Sequence, residues 1–189
     1  MKIKVNKFLK WCIILFLSII ILLVLSICML KKVFYPLTHF EIVKTEASKN
    51  GIDPYLIMAI IKTESGFNNE ATSKKEAKGL MQIMDTTASD INSEINVVDD
   101  VNDNIYDENI NIALGCKYFS NLVKKYNGNY YTAICAYNAG MGNVDKWLEQ
   151  GVINKSLNNY KDISIPFKET ENYLKKVIIR YKMYRFLYK

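Results

Sequence analysis

Residues 11–30, WCIILFLSIIILLVLSICML, carry no charge and are rich in Ile and Leu. A helix of about twenty such residues is long enough to cross a ~30 Å hydrocarbon layer. Roughly 150 residues are then left for one compact domain. A secretory signal would be shorter and end in small residues, whereas this stretch closes on Ser26-Ile27-Cys28-Met29-Leu30. The expectation is an uncleaved anchor, and Ile27 is a poor residue immediately before a lipidated cysteine. Lys2, Lys4, Lys7 and Lys10 precede the span and Lys31 and Lys32 follow it, which favours a cytoplasmic amino terminus. Residues 1–10 are thus read as a cytoplasmic tail, 11–30 as a transmembrane anchor in the cytoplasmic membrane, 31–38 as a linker and 39–189 as an external domain.

The net charge of +6 comes from the anchor region, because residues 1–38 hold six lysines and no acid while the rest balances 19 basic against 19 acidic residues. A balanced domain offers no electrostatic case for nucleic acid. Cys12 and Cys28 fall inside the span, and Cys116 and Cys135 lie among apolar neighbours. The latter two read as small buried residues rather than a bridge, and no Cys/His spacing suits a metal. His39, the one histidine, reads as a surface residue. No metal or cofactor is expected.

The domain reads as all-helical. Phe40, Val43 and Ala47 share one helical face that stops at Asn50-Gly51. Asp53-Pro54 restarts the chain as cap and first helical residue, opening a helix to about Glu64. Residues 67–78 read as a polar surface loop, followed by the apolar return Gly79-Leu80-Met81-Gln82-Ile83 and a helix over 86–95 capped by Asp85. Residues 96–107 read as an extended connection. Further helices are expected over 108–126, 130–138 and around Val144, Trp147 and Leu148. After a polar stretch to Ile165-Pro166, a last helix begins near Phe167, with Tyr173, Val177, Tyr181 and Tyr184 as its apolar stripe. No strand and no repeat is apparent, which suggests a single helical unit.

Glu64 raises the functional question. Ile61, Ile60 and Ile57 stand three, four and seven residues before it, so its carboxyl shares the side that faces the core. A carboxyl desolvated in this way holds its proton to higher pH and can act as a general acid. Alternatively, the side chain swings out to water at the helix end.

Three segments in order, Glu64-Ser65-Gly66, Gly79-Leu80-Met81-Gln82-Ile83 and Ala136-Tyr137-Asn138-Ala139-Gly140, follow the helix opening DPYLIMAII. Together with IPFKETENYLKKV they resemble the lytic transglycosylase family with the soluble-lytic-transglycosylase-type (SLT), lysozyme-like domain. The likeness runs from about His39 to Tyr181. It implies that Glu64 acts as acid and then base on peptidoglycan, at the bond between N-acetylmuramic acid and N-acetylglucosamine. The muramyl C6 hydroxyl would attack C1 and leave a 1,6-anhydromuramyl end. Ordinary glycoside hydrolysis uses two carboxylates, whereas here the substrate supplies the nucleophile.

The resemblance also implies a set of substrate-binding residues. Ser65 can hydrogen-bond Glu64 or the sugar, or simply close the helix. Gly79 would let the backbone pass close to the sugar, and Gln82 offers an amide suited to acetamido groups. Met81 is core filler on its chemistry alone, but the family places it at the cleft. Tyr137, whose hydroxyl in this family lies beside the catalytic carboxyl, and Asn138 join aromatic surface to polar tips. Glu169 and Tyr173 match a distal segment that reaches the cleft, although Glu169 also suits a helix start. Two positions depart from the pattern: Asp85 replaces a common proline and Glu171 a common arginine. The expected partners are glycan strands and the membrane, and membership of an envelope-spanning secretion or conjugation machine is compatible with the sequence. A water-using lysozyme-like hydrolase and a weakly active glycan-binding subunit are the competing readings.

Overall fold

The computed structural model describes residues 7–153 and 164–189. The first lysines of the expected cytoplasmic tail and most of the polar stretch before Ile165 lie outside these residues. Two compact units emerge, Met1–Leu37 and Thr38–Lys189.

In the first unit, α1 (Lys7–Met29) continues as a π-helical turn over Leu30–Phe34. Over Lys7–Phe34 this helix is long and apolar enough to cross a membrane, and its apolar side chains are exposed.

The second unit contains α2 (Phe40–Lys49), α3 (Pro54–Glu64), α4 (Asp85–Ile95), α5 (Val101–Asn104), α6 (Glu108–Lys125), α7 (Tyr130–Ala139), α8 (Met141–Glu149) and α9 (Lys168–Tyr188). Helix α3 is its centre. Residues 56–61 are buried without a break, and a helix apolar on every side must be surrounded by other elements. Helices α2 and α9 pack directly against it. Fully burying one such Ile or Leu is worth about 1.5–3 kcal/mol, so this helix sets where its neighbours stand. Asp53 accepts from the Tyr55 backbone N–H at 2.9 Å and from the Tyr181 hydroxyl, also at 2.9 Å. The cap expected of Asp53 therefore also ties the start of α3 to α9.

Local differences from the expected pattern have identifiable causes. Residues expected to be extended contain α5, whose two backbone donors at Asn102 and Asp103 are met by the Asp100 carboxylate. Asp85 is the first helical residue of α4 and not its cap, which is Met84. Its carboxylate instead lies 2.8 Å from the Lys78 ammonium. His39 is no isolated surface residue, because Nδ1 lies 2.6 Å from the Glu108 carboxylate. Cys116 and Cys135 are buried free thiols, and burial pushes the Cys135 thiol up to about 12. Among the described residues there is no strand, only isolated bridges pairing Lys78 with Thr72 and with Ile83.

That bridged segment is the turn that carries GLMQI. Lys78 and Ile83 exchange two backbone hydrogen bonds of 3.0 Å. Behind them, buried Asn111 of α6 accepts from Met81 N–H at 2.8 Å and donates to the Lys78 and Ile105 carbonyls at 3.1 and 2.8 Å. Gly79 sits at φ +76°, and a Cβ there would lie 2.3 Å from Asn111 Nδ2. The backbone close approach that requires this glycine is to Asn111. Asn111→Leu would strand a buried N–H and two carbonyls, so we expect about 3 kcal/mol of lost stability. Urea unfolding of the full chain in mild detergent, followed by tryptophan fluorescence, checks this; an unchanged midpoint would mean that water replaces the amide.

Candidate active site

Helix α3 delivers Glu64 on its last turn, above Ile57, Ile60 and Ile61, all of them fully buried. Tyr173, projecting from α9 and itself buried, donates its hydroxyl to Glu64 Oε1 at 2.5 Å. Enclosure among apolar groups is the largest influence on this carboxyl, and the nearby Glu169 carboxylate acts in the same direction. The Tyr173 hydrogen bond opposes both by favouring the ionised form. The balance raises the Glu64 pKa from 4.5 to about 7. The Tyr173 contact turns the carboxyl inward, half-buried at the edge of a cleft, and there it can hold a proton near neutral pH.

The tyrosine that hydrogen-bonds this carboxyl is Tyr173; Tyr137, expected beside it, shares the cleft lining and feels the Glu64 charge. Tyr137 stands over the GLMQI turn and donates to the Met81 carbonyl at 2.7 Å. Burial, and secondarily the charge of Glu64, raises both phenols well above 10. Both are thus neutral hydrogen-bond donors at physiological pH.

A cleft of about 390 Å³ opens beside Glu64, with Gln82, Tyr137, Asn138 and Glu169 among its lining residues. Ser73, Lys74, Lys75, Ala77 and Met84 complete that lining. These come from the polar loop and the α4 cap, and sequence reasoning named none of them as site residues; their bare pattern carries no chemical signal. Asn111 was missed for the same reason, being one buried amide within an amphipathic helix. Hollows of about 610 and 530 Å³ lie elsewhere, near Tyr181 and Arg185 and near Asn127 and Thr132. Neither includes Glu64, so chemistry and not size selects the smaller cleft.

Several expected contact residues also hold this wall together. Ser65 donates to the Ile61 carbonyl at 3.3 Å and accepts from Phe67 N–H at 3.1 Å, closing α3. Gln82 adopts φ +50° and its amide donates to the Ala71 and Gly79 carbonyls at 2.9 and 3.0 Å, which pins the loop. The Met81 side chain is fully buried against Gly115, where a Cβ would lie 2.3 Å from its sulfur. Asn138 accepts from the Thr170 hydroxyl at 2.8 Å, which ties α7 to α9. Glu171, which stands where the family commonly has an arginine, accepts from Lys168 at 2.8 Å and Lys175 at 2.6 Å. Those two ammonium groups hold its carboxyl down at about 2. Among the described residues, no three His, Cys, Asp or Glu side chains converge as a metal site.

A helical domain with a protonatable carboxyl at the end of its central helix, facing a cleft, is of the lysozyme-like class. Its likeness to the 70 kDa soluble lytic transglycosylase of Escherichia coli has a TM-score of 0.74 at 30% identity, covering 80% of this chain and 25% of that one. An inactive glutamate-to-glutamine mutant of the lytic transglycosylase Slt from Pseudomonas aeruginosa matches with a TM-score of 0.69 at 30% identity, over 79% of this chain and 24% of that one. In sequence, the soluble lytic murein transglycosylase of Escherichia coli K12 is 31% identical over 153 residues, 80% of this chain and 24% of the relative. The transglycosylase SLT domain family model matches residues 41–160, and the chain belongs to that family. It spans about a quarter of the length of these relatives.

The raised carboxyl has a consequence for stability. Folding strengthens proton binding at Glu64, so its contribution is intact below about pH 4.5 and is lost as pH rises through about 7. The full difference is about 3 kcal/mol. Glu64→Gln should match the parent near pH 4.5 and exceed it by up to that amount at pH 8. Paired urea titrations at the two pH values test this, and a difference independent of pH would place the carboxyl in water.

Proposed function

We propose that this protein is a membrane-anchored peptidoglycan lytic transglycosylase, with residues 11–30 in the cytoplasmic membrane and the catalytic domain on the cell-wall side. The observation that carries this reading is the Glu64 carboxyl, half-buried at the cleft, hydrogen-bonded by Tyr173 and poised at about 7. Family membership and the relatives named as lytic murein transglycosylases support the substrate class.

In this mechanism, Glu64 begins protonated. It gives its proton to the oxygen linking N-acetylmuramic acid to N-acetylglucosamine as the bond from that oxygen to C1 breaks. Positive charge develops on the muramyl ring while Glu64 becomes a carboxylate, which the Tyr173 hydroxyl stabilises. The muramyl O6 then attacks C1, and Glu64 takes the proton from that hydroxyl. The carboxyl returns to its starting state, and no water is consumed. One carboxyl therefore performs both proton transfers. The Glu169 carboxylate favours the protonated form of Glu64 before reaction. We assign substrate contact to Gln82, Tyr137, Asn138 and Glu169 on the cleft lining. Ser65, Gly79, Met81 and Tyr173 are assigned positioning roles behind it.

Digestion of purified peptidoglycan by the full chain in mild detergent, followed by mass spectrometry, should yield 1,6-anhydromuramyl ends. Reducing muramyl ends would overturn the intramolecular step and favour hydrolysis by water. Glu64→Gln should lower the rate by about 10²-fold to 10⁴-fold.

Because the acid form starts the reaction, activity should decline as pH rises through about 7. Tyr173→Phe removes the hydrogen bond that lowers this pKa, so the alkaline limb should move to higher pH while the maximal rate falls. An unshifted limb in the pH–rate profile would show that Tyr173 does not act through Glu64.

A further inference from the structure

The last fifteen residues distribute their charge unlike the rest of the domain. Residues 175–189 contain six Lys or Arg and no acid, whereas residues 39–174 hold thirteen basic and nineteen acidic residues. The basic charge is concentrated on the end of one helix. Lys182, Arg185 and Lys189 follow at spacings of three and four, so they share a face. Each is exposed. Beside them stand Phe186, 80% exposed, and Ile179, 50% exposed, while Val177, Ile178, Tyr184 and Leu187 face the core. The same face borders the hollow of about 610 Å³, whose other lining includes Tyr130 and Tyr181. Cationic heads around a protruding aromatic ring, with apolar floor between them, suit a surface of phosphate groups over hydrocarbon.

The place of this patch in the domain strengthens the assignment. Phe40, the first residue of α2, stacks on Tyr55 with centroids 5.4 Å apart. Tyr55 stacks in turn on Tyr188 at 6.5 Å and donates to its carbonyl at 3.1 Å. The chain therefore enters the domain at the end where α9 presents Phe186 and its cations. Residues 31–38 reach at most about 28 Å even when fully extended. Any membrane that holds the anchor thus lies within a short reach of that end.

We propose that the carboxyl-terminal end of α9 is a lipid-docking surface, with Lys182, Arg185 and Lys189 on the headgroup phosphates of anionic lipids and Phe186 inserted among them. This rests on the anchor reading of residues 11–30. Docking limits the tethered domain's rotation, so Glu64 works at a restricted height and orientation above the bilayer. The catalytic cleft contributes none of these residues.

The test places the full chain in nanodiscs of phosphatidylcholine, with or without phosphatidylglycerol, containing lipids brominated near the headgroup. Phe186→Trp should add a fluorescence component, absent from the parent, that bromine quenches in the anionic discs. Each change among Lys182→Glu, Arg185→Glu and Lys189→Glu should lower the docked-to-free ratio by about fivefold or more, with peptidoglycan cleavage in detergent unchanged. No added quenching, or equal quenching in neutral discs, would overturn the proposal. Protection by a soluble poly(glycerol phosphate) without bromine quenching would also overturn it, in favour of a wall polyanion. Quenching of parent Trp11 reports the anchor independently, so loss of that signal would reject the anchor and not merely the docking.

Discussion

The Glu64–Tyr173 contact depends on how α3 and α9 pack, and the proposed chemistry depends on that contact. Helix α3 is apolar on all sides over residues 56–61 and so is surrounded. Its last side chain enters the same apolar enclosure. A carboxyl there with no partner would be costly to ionise, and one paired with a cation would be ionised throughout the physiological range. A single neutral hydroxyl lies between these extremes. It stabilises the carboxylate partially, leaving the group near 7 and able to both donate and accept a proton.

The GLMQI segment extends this dependence to the cleft wall. Its side chains mainly hold one another and the backbone: Asn111 fixes Met81 and Lys78, Gln82 holds Ala71 and Gly79, and Tyr137 holds the Met81 carbonyl. Met81 fills the space left by Gly115. This turn is a small assembly set against α6 and α7, and its conformation determines which groups can face the cleft. The Asp85 departure fits the same picture, because Lys78 pairs with that carboxylate across the base of the turn. At Glu171, two lysines from its own helix supply compensating charge.

Charge separates the chain by role. The lysines before and after the apolar helix account for its net +6, and the domain as a whole is balanced. Within that balance, α9 carries two different features at its two ends. Its beginning supplies Tyr173 to the acid, and its end gathers the cations and the exposed Phe186. A helix of twenty-one residues can do both because only its intervening stripe is committed to packing on α3 and α7.

Most of the helical architecture was legible in one dimension, because amphipathic spacing, Asp53-Pro54 and the Asn-Gly breaks are local signals. Helix α3 matches its expected span, and α6 and α9 fall within one residue of theirs at the start. Helix α5 was not legible, since its existence turns on Asp100 reaching two backbone donors across a connection rich in Asp and Asn. The shared face of Glu64 with Ile57, Ile60 and Ile61 followed from helical geometry alone, as did the candidate role of its carboxyl. Which tyrosine would meet it did not. Tyr137 and Tyr173 lie 73 and 109 residues from Glu64 in the chain, and their distances depend on how α7 and α9 cross α3. Local spacing thus determined most of the helices and the candidate carboxyl, while only packing decided that carboxyl's partner, its pKa and the residues that wall its cleft. Those properties depend on contacts between elements and on excluded water, neither of which has a local sequence signature.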